Sequence, residues 1–122
     1  MKIKTSLLFL SLIVPAGASD PIVKYDHCYG PSMLPRYGCV QAIKETFKPF
    51  GELKEGDVVI YDTWAFVFGR LRPVRNNHRL VHKLKNGAWL AKGDNNATFD
   101  IYPVTKLNYI CVTEPCNEFK KY

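Results

Sequence analysis

The segment "GDVVIYDTWAFVF" at residues 56–68 leaves this chain few choices of fold. β-Branched and aromatic side chains dominate it. Such side chains pack well on a pleated surface and lose rotamer freedom in a helix. Further segments read the same way. "HRLVHKL" (78–84) alternates, and "KLNYICVTE" (106–114) reads as a last strand. "GAWLAKG" (87–93) follows Lys85-Asn86-Gly87, and Asn-Gly is the strongest short hairpin signal. Helical periodicity is scarce. Its best instance, "VQAIKETF" (40–47), makes one or two turns at most and reads equally well as a strand. "RLRPVRNN" (70–77) reads as a solvated basic connection. The expectation is a small, mainly β domain with irregular loops.

The N-terminus has a different character. Lys2 and Lys4 precede a short apolar run, Leu7 to Val14; Pro15 ends it, and Ala16-Gly17-Ala18 offers small residues for cleavage. These are the three parts of a secretory signal peptide. The run falls short of the roughly 20 residues that span a bilayer. Residues 1–18 are therefore expected to be a signal peptide, with an uncleaved N-terminal membrane anchor as the alternative, and residues 19–122 the exported domain. The full chain's net charge of +6 suits anionic partners such as a lipid surface, and export argues against nucleic acid. An oxidising compartment makes four cysteines an expected pair of disulfides. Three pairings are open, the simplest being Cys28 with Cys39 and Cys111 with Cys116. No Cys-x-x-Cys pair suggests a metal.

"GPSMLPRYG" (30–38) holds a serine between two prolines. Pro31 and Pro35 fix their own φ and push Gly30 and Leu34 away from the α region, so Ser32 is expected on a short, stiff, extended stretch. Amide hydrolysis needs an activated hydroxyl, a base to take its proton and often a carboxylate to orient the base. Ser32, His78 and an aspartate of "KGDNNATFD", Asp94 or Asp100, supply these in chain order.

Taken with their neighbours, these residues resemble the type I signal peptidase family. Its Ser-Met-x-Pro box is matched by Ser32-Met33-Leu34-Pro35, and its Gly-Asp-(Ile/Val)-Val box by "GDVV" (56–59). The general-base box is matched by "HRLV" (78–81) and the Gly-Asp-Asn box by "KGDNN" (92–96). All four occur in order over about residues 30–102. Most members place a lysine where this chain has His78; endoplasmic-reticulum and archaeal members place a histidine there. The resemblance implies a signal-peptidase-like β domain and a serine endopeptidase without metal or organic cofactor. It makes Ser32 the nucleophile, His78 the base and Asp100 or Asp94 the orienting carboxylate; Asp100 is the favoured one, with Asp94 shaping the site. It further implies precursor polypeptides as substrates, bound as an added strand and cut after small residues. Met33 and Leu34 would wall the pocket for those residues.

Several features depart from the family pattern. Arg36 stands where threonine is usual, the four cysteines are not part of it, and a cleaved leader is unusual in it. Gly30 brings no hydroxyl to an oxyanion hole, which must then rely on backbone N–H groups such as that of Ser32. Rivals for the base are His27, His82 and Lys83. In a regular strand His82 shares the face of His78 roughly 13 Å away, and Lys83 points to the other face. Asp57 reads as a turn residue, and the sequon Asn96-Ala97-Thr98 as incidental. "WAFVF" (64–68) reads as core or, if exposed, as a membrane-surface contact. Two other classes compete: a non-catalytic, disulfide-stapled binding protein on a degenerate peptidase fold, and a self-cleaving regulator with a Ser-Lys dyad. The leader and His78 argue against the second.

Overall fold

The computed structural model describes residues 23–116, so the signal peptide read at residues 1–18 lies outside the described residues. The fold is mainly β. Six strands run in chain order: β1 (Val23–Tyr29), β2 (Val40–Thr46), β3 (Val58–Val67), β4 (Arg70–Lys83), β5 (Trp89–Lys92) and β6 (Tyr109–Pro115). They form one antiparallel sheet in the order β1-β2-β6-β3-β4-β5.

The central position of β3 follows from its sequence. Val58, Val59, Ile60 and Tyr61 are all buried. Neighbours in a strand face opposite sides, so this segment needs cover on both. Val59 and Tyr61 join Leu53, Leu80, Trp89, Ala91 and Val104 in one cluster. Val58 and Ile60 join Met33, Tyr37, Ile43 and Cys111 in a second. The 30–38 segment thus anchors itself to the sheet through Met33 and Tyr37.

"VQAIKETF", open to helix or strand from its sequence, supplies the strand β2, because β1 and β6 bond it on either side and eight residues make a poor isolated helix. Other expectations need correction. The supposed connection 70–77 is the first half of β4. Phe68 and Gly69 both take positive φ, 52° and 77°. That is the signature of a two-residue hairpin turn, and β3 folds straight back into β4 with Val67 opposite Arg70. The hairpin at residues 84–88 forms where Asn-Gly places it, with the N–H of Leu84 donating to the Ala88 carbonyl at 2.8 Å. β1 escaped the sequence reading because most of this edge strand is exposed and shows no alternation. The segment around Ser32 is a compact series of turns rather than extended. The Leu34 N–H donates to the Pro31 carbonyl at 3.2 Å and the Tyr37 N–H to that of Met33 at 2.9 Å.

All four cysteines are free thiols. Cys111 and Cys116 are five residues apart along extended chain, roughly 16 Å, beyond the reach of a disulfide. Cys39 stands exposed opposite Gly30, whereas Cys28 lies opposite Gln41 and packs against the second cluster.

Candidate active site

Three elements converge at the edge of the sheet. The turn after β1 carries Ser32, the middle of β4 carries His78, and the loop after β5 carries Asp94 and Asp100. His78 Nδ1 lies 2.6 Å from Asp100 Oδ2, and His78 Nε2 lies 3.0 Å from Ser32 Oγ. A carboxylate only accepts, so Asp100 holds the proton of the neutral imidazole on Nδ1. Nε2 is left with its lone pair toward the Ser32 hydroxyl, the tautomer a general base requires.

Each member is held by the backbone. Val59, buried in the first cluster, is the β3 partner of His78, which is itself buried. The Asp100 N–H donates to the Ala91 carbonyl of β5 at 2.8 Å, and Ala91 pairs with Leu80, two residues beyond His78. The Ser32 carbonyl accepts from the Asn95 N–H at 2.7 Å, and Asn95 Nδ2 donates to the Pro31 carbonyl at 3.2 Å. Gly93 is required by this docking: a Cβ there would stand 2.7 Å from the Ser32 carbonyl oxygen.

The two aspartates of the third segment have different partners. Asp94 does not touch His78. It takes two hydrogen bonds from Arg79, from Nε and Nη2, each 2.7 Å long. These hold its carboxyl below the ordinary carboxylate value, and Asp94 raises Arg79 in return. Arg79 Nη1 also reaches the Gly56 carbonyl at 2.8 Å, binding the three boxes together. The Asp94 N–H donates to Met33 Sδ at 3.3 Å. Asp57 accepts from Lys48 Nζ and the Lys54 N–H, both at 2.9 Å, as a turn residue.

Tyr61 was not foreseen from sequence. Its hydroxyl donates to the same Asp100 Oδ2 that faces His78. The side chain is fully buried, and burial first, then the Asp100 contact, raises its pKa, so it stays a neutral donor. The only sequence signal was a tyrosine in phase with Val59 on the most hydrophobic strand. Asn77 was likewise missed. Its Nδ2 points at Cys28 Sγ (3.5 Å), and its Oδ1 accepts from the Thr113 hydroxyl at 2.8 Å. Tyr37 OH donates to Thr113 at 2.8 Å, completing a buried polar chain under the site.

His78 lies within hydrogen-bond reach of Ser32, and the other candidate bases hold the following positions. β4 carries a bulge between Leu80 and His82. One extra residue reverses the alternation, so His82 leaves the face of His78 and is exposed. Lys83 lies over the Trp89 ring at 5.8 Å. His27 stacks on Tyr29 at 6.4 Å between ring centres.

A cavity of about 430 Å³ opens beside Ser32 and His78, with Gly30, Met33, Ile60 and Cys28 among its walls. Leu34 is not part of that lining. A second cavity, about 280 Å³, lies against His78 and Asp100. No family model matches the sequence, and neither a curated protein nor a solved structure matches it.

Proposed function

We propose that this chain is an exported serine endopeptidase of the signal peptidase type, cutting exported or membrane-attached precursors after small residues. The observation that carries this reading is the continuous chain from Asp100 through His78 to Ser32 Oγ. It supplies nucleophile, base and orienting carboxylate in the geometry acyl transfer needs.

The Ser32 Oγ attacks the scissile carbonyl carbon as His78 Nε2 takes its proton. Asp100 stabilises the imidazolium that forms. The Ser32 N–H makes no hydrogen bond among the described residues and serves as a donor to the oxyanion. His78 then gives its proton to the leaving amine as the C–N bond breaks, leaving an acyl-Ser32. Water attacks that ester with His78 again as base, and the proton returns to Ser32 as the acid product departs. The residue before the cut enters the cavity walled by Gly30 and Met33.

The experiment is cleavage of a synthetic preprotein by wild type, Ser32→Ala, His78→Ala and Asp100→Asn. The first two are expected to lose about 10⁴-fold or more in rate and the third about 10³–10⁴-fold. A serine-directed acylating probe should label wild type and not Ser32→Ala. Absence of labelling together with absence of cleavage would sink the reading.

A further inference from the structure

The β3–β4 hairpin outgrows the sheet. The last β6 partner on β3 is Tyr61, and β5 joins β4 only from Arg79 onward. Residues 62–75, with Asp62 opposite Arg75 and Val67 opposite Arg70, therefore project as a two-stranded ribbon. Cross-strand register puts Trp64 opposite Pro73 and Phe66 opposite Leu71 on one face. Trp64 is 51% exposed, Phe66 67% and Leu71 44%, and Phe68 at the turn is 99% exposed. The strip runs roughly 13 Å from Trp64 to Phe68. It ends at the base in the Asp62–Arg75 ion pair of 2.8 Å. The opposite face carries Arg72 across from Ala65 and Arg70 across from Val67.

We propose that this ribbon docks the protein onto an anionic lipid surface. Its aromatic strip enters the interface, and Arg70 and Arg72 reach the phosphates. A contiguous apolar patch of this kind is unfavourable in water and marks a contact surface. Its length suits the 5–10 Å depth to which interfacial segments sink, and tryptophan favours that layer. Arginine lays its stem along apolar surface and keeps its head at the phosphates. Basic residues exceed acidic ones even without Lys2 and Lys4 of the leader, which favours an anionic surface over a neutral one. Edge pairing with a second copy is disfavoured. Pro73 has no N–H to donate, and the arginines would meet their own kind.

The ribbon also bears on the catalytic group. Trp64 and Ala65 share a cavity with His78, Asp100, Phe99 and Ile101. A docked ribbon brings the cleavage site next to the lipid where a membrane-attached precursor emerges. This last step rests on the peptidase reading; the lipid binding does not.

The test uses the full chain with Trp89→Phe, which leaves Trp64 as its only tryptophan. Emission is followed on adding vesicles of phosphatidylcholine, with and without phosphatidylglycerol and with brominated acyl chains. Should Trp89→Phe fail to fold, the wild-type chain is used, because Trp89 is buried and out of reach of the quencher. Trp64 emission should shift to the blue and be quenched in the anionic vesicles. Phe66→Ser and Phe68→Ser should each weaken binding at least about tenfold. Arg70→Gln with Arg72→Gln should weaken it about tenfold or more on anionic vesicles only. Trp64 emission that stays unshifted and unquenched overturns the proposal. So does a Phe68→Ser chain that binds as wild type, or sedimentation showing a dimer that Phe68→Ser dissolves. Phe68→Ser should still cleave a soluble peptide, and Ser32→Ala should still be quenched by vesicles, which separates failure of docking from failure of catalysis.

Discussion

The backbone carbonyl of Ser32 accepts a hydrogen bond from the N–H of Asn95 at 2.7 Å. Residues 63 apart in sequence are thereby joined main chain to main chain, and Asn95 Nδ2 adds a bond to the Pro31 carbonyl. The close approach of two loops places Ser32, and Gly93 permits that approach.

Gly93→Ala tests this. The added Cβ would stand 2.6 Å from Asn96 Nδ2 and 2.7 Å from the Ser32 carbonyl. The side-chain atom can give way, but the carbonyl moves only with the turn that carries Ser32. Overpacking of this kind costs about 1–3 kcal/mol. A thermal melt should show that loss, and kcat should fall more than KM rises. Full kcat in a normally melting variant would mean that Ser32 is positioned by something else.

Tyr61→Phe keeps the ring and removes the donor to Asp100. A buried hydrogen bond to a charged group is worth about 1.5–3 kcal/mol, so the variant should be destabilised by that order. Asp100 then loses one of the groups that fix its carboxylate against His78, so kcat should fall while KM stays near wild type. A purely structural tyrosine would lower stability and leave kcat in place.

His82→Ala and Lys83→Ala should cleave at near wild-type rates. His82 is exposed beyond the bulge, and the Lys83 ammonium lies over Trp89. Loss of that cation–π contact costs about 0.5–1 kcal/mol of stability. A large drop in kcat for Lys83→Ala would instead point to a Ser-Lys dyad and a different β4 register.

Asp94 links stability to pH. Hydrogen bonds from Arg79 hold its carboxyl below the ordinary 3.8. A carboxyl lowered by folding stabilises the native state above its unfolded value, and that contribution is lost as pH falls through the folded value. Wild type should therefore lose stability more steeply than Asp94→Asn as pH drops below about 4. At neutral pH the substitution should cost about 1–2 kcal/mol, since the pair is only partly shielded from water. Denaturant unfolding across pH reads both. Parallel curves would show that the pair contributes nothing to folding.

Some strands were legible because their information is local. Alternating and β-branched side chains mark "GDVVIYDTWAFVF", and Asn86-Gly87 marks the turn before β5. β1 was not legible, because an edge strand exposed on most of its length has no pattern to show. Residues 70–77 read as loop because their arginines and Pro73 suit a ribbon edge facing solvent and give no sign of burial. The pairing of Cys111 with Cys116 failed for a related reason. Spacing in sequence shows which cysteines are near along the chain, whereas an extended strand carries near neighbours apart.

By itself the sequence determined a mainly β chain with Ser32, His78, Asp94 and Asp100 in distinctive local settings. Those settings depend on a few adjacent residues, and adjacency is what a sequence records. Only the tertiary structure decided that Asp100 faces His78 while Asp94 is taken by Arg79, and that Tyr61 completes the chain of hydrogen bonds. It alone put His82 off the site and left the ribbon's aromatic strip uncovered. These choices rest on which strands pair, in which register and with which bulge. A shift of one residue reverses every side chain that follows, so pairing across the sheet outweighs any local preference.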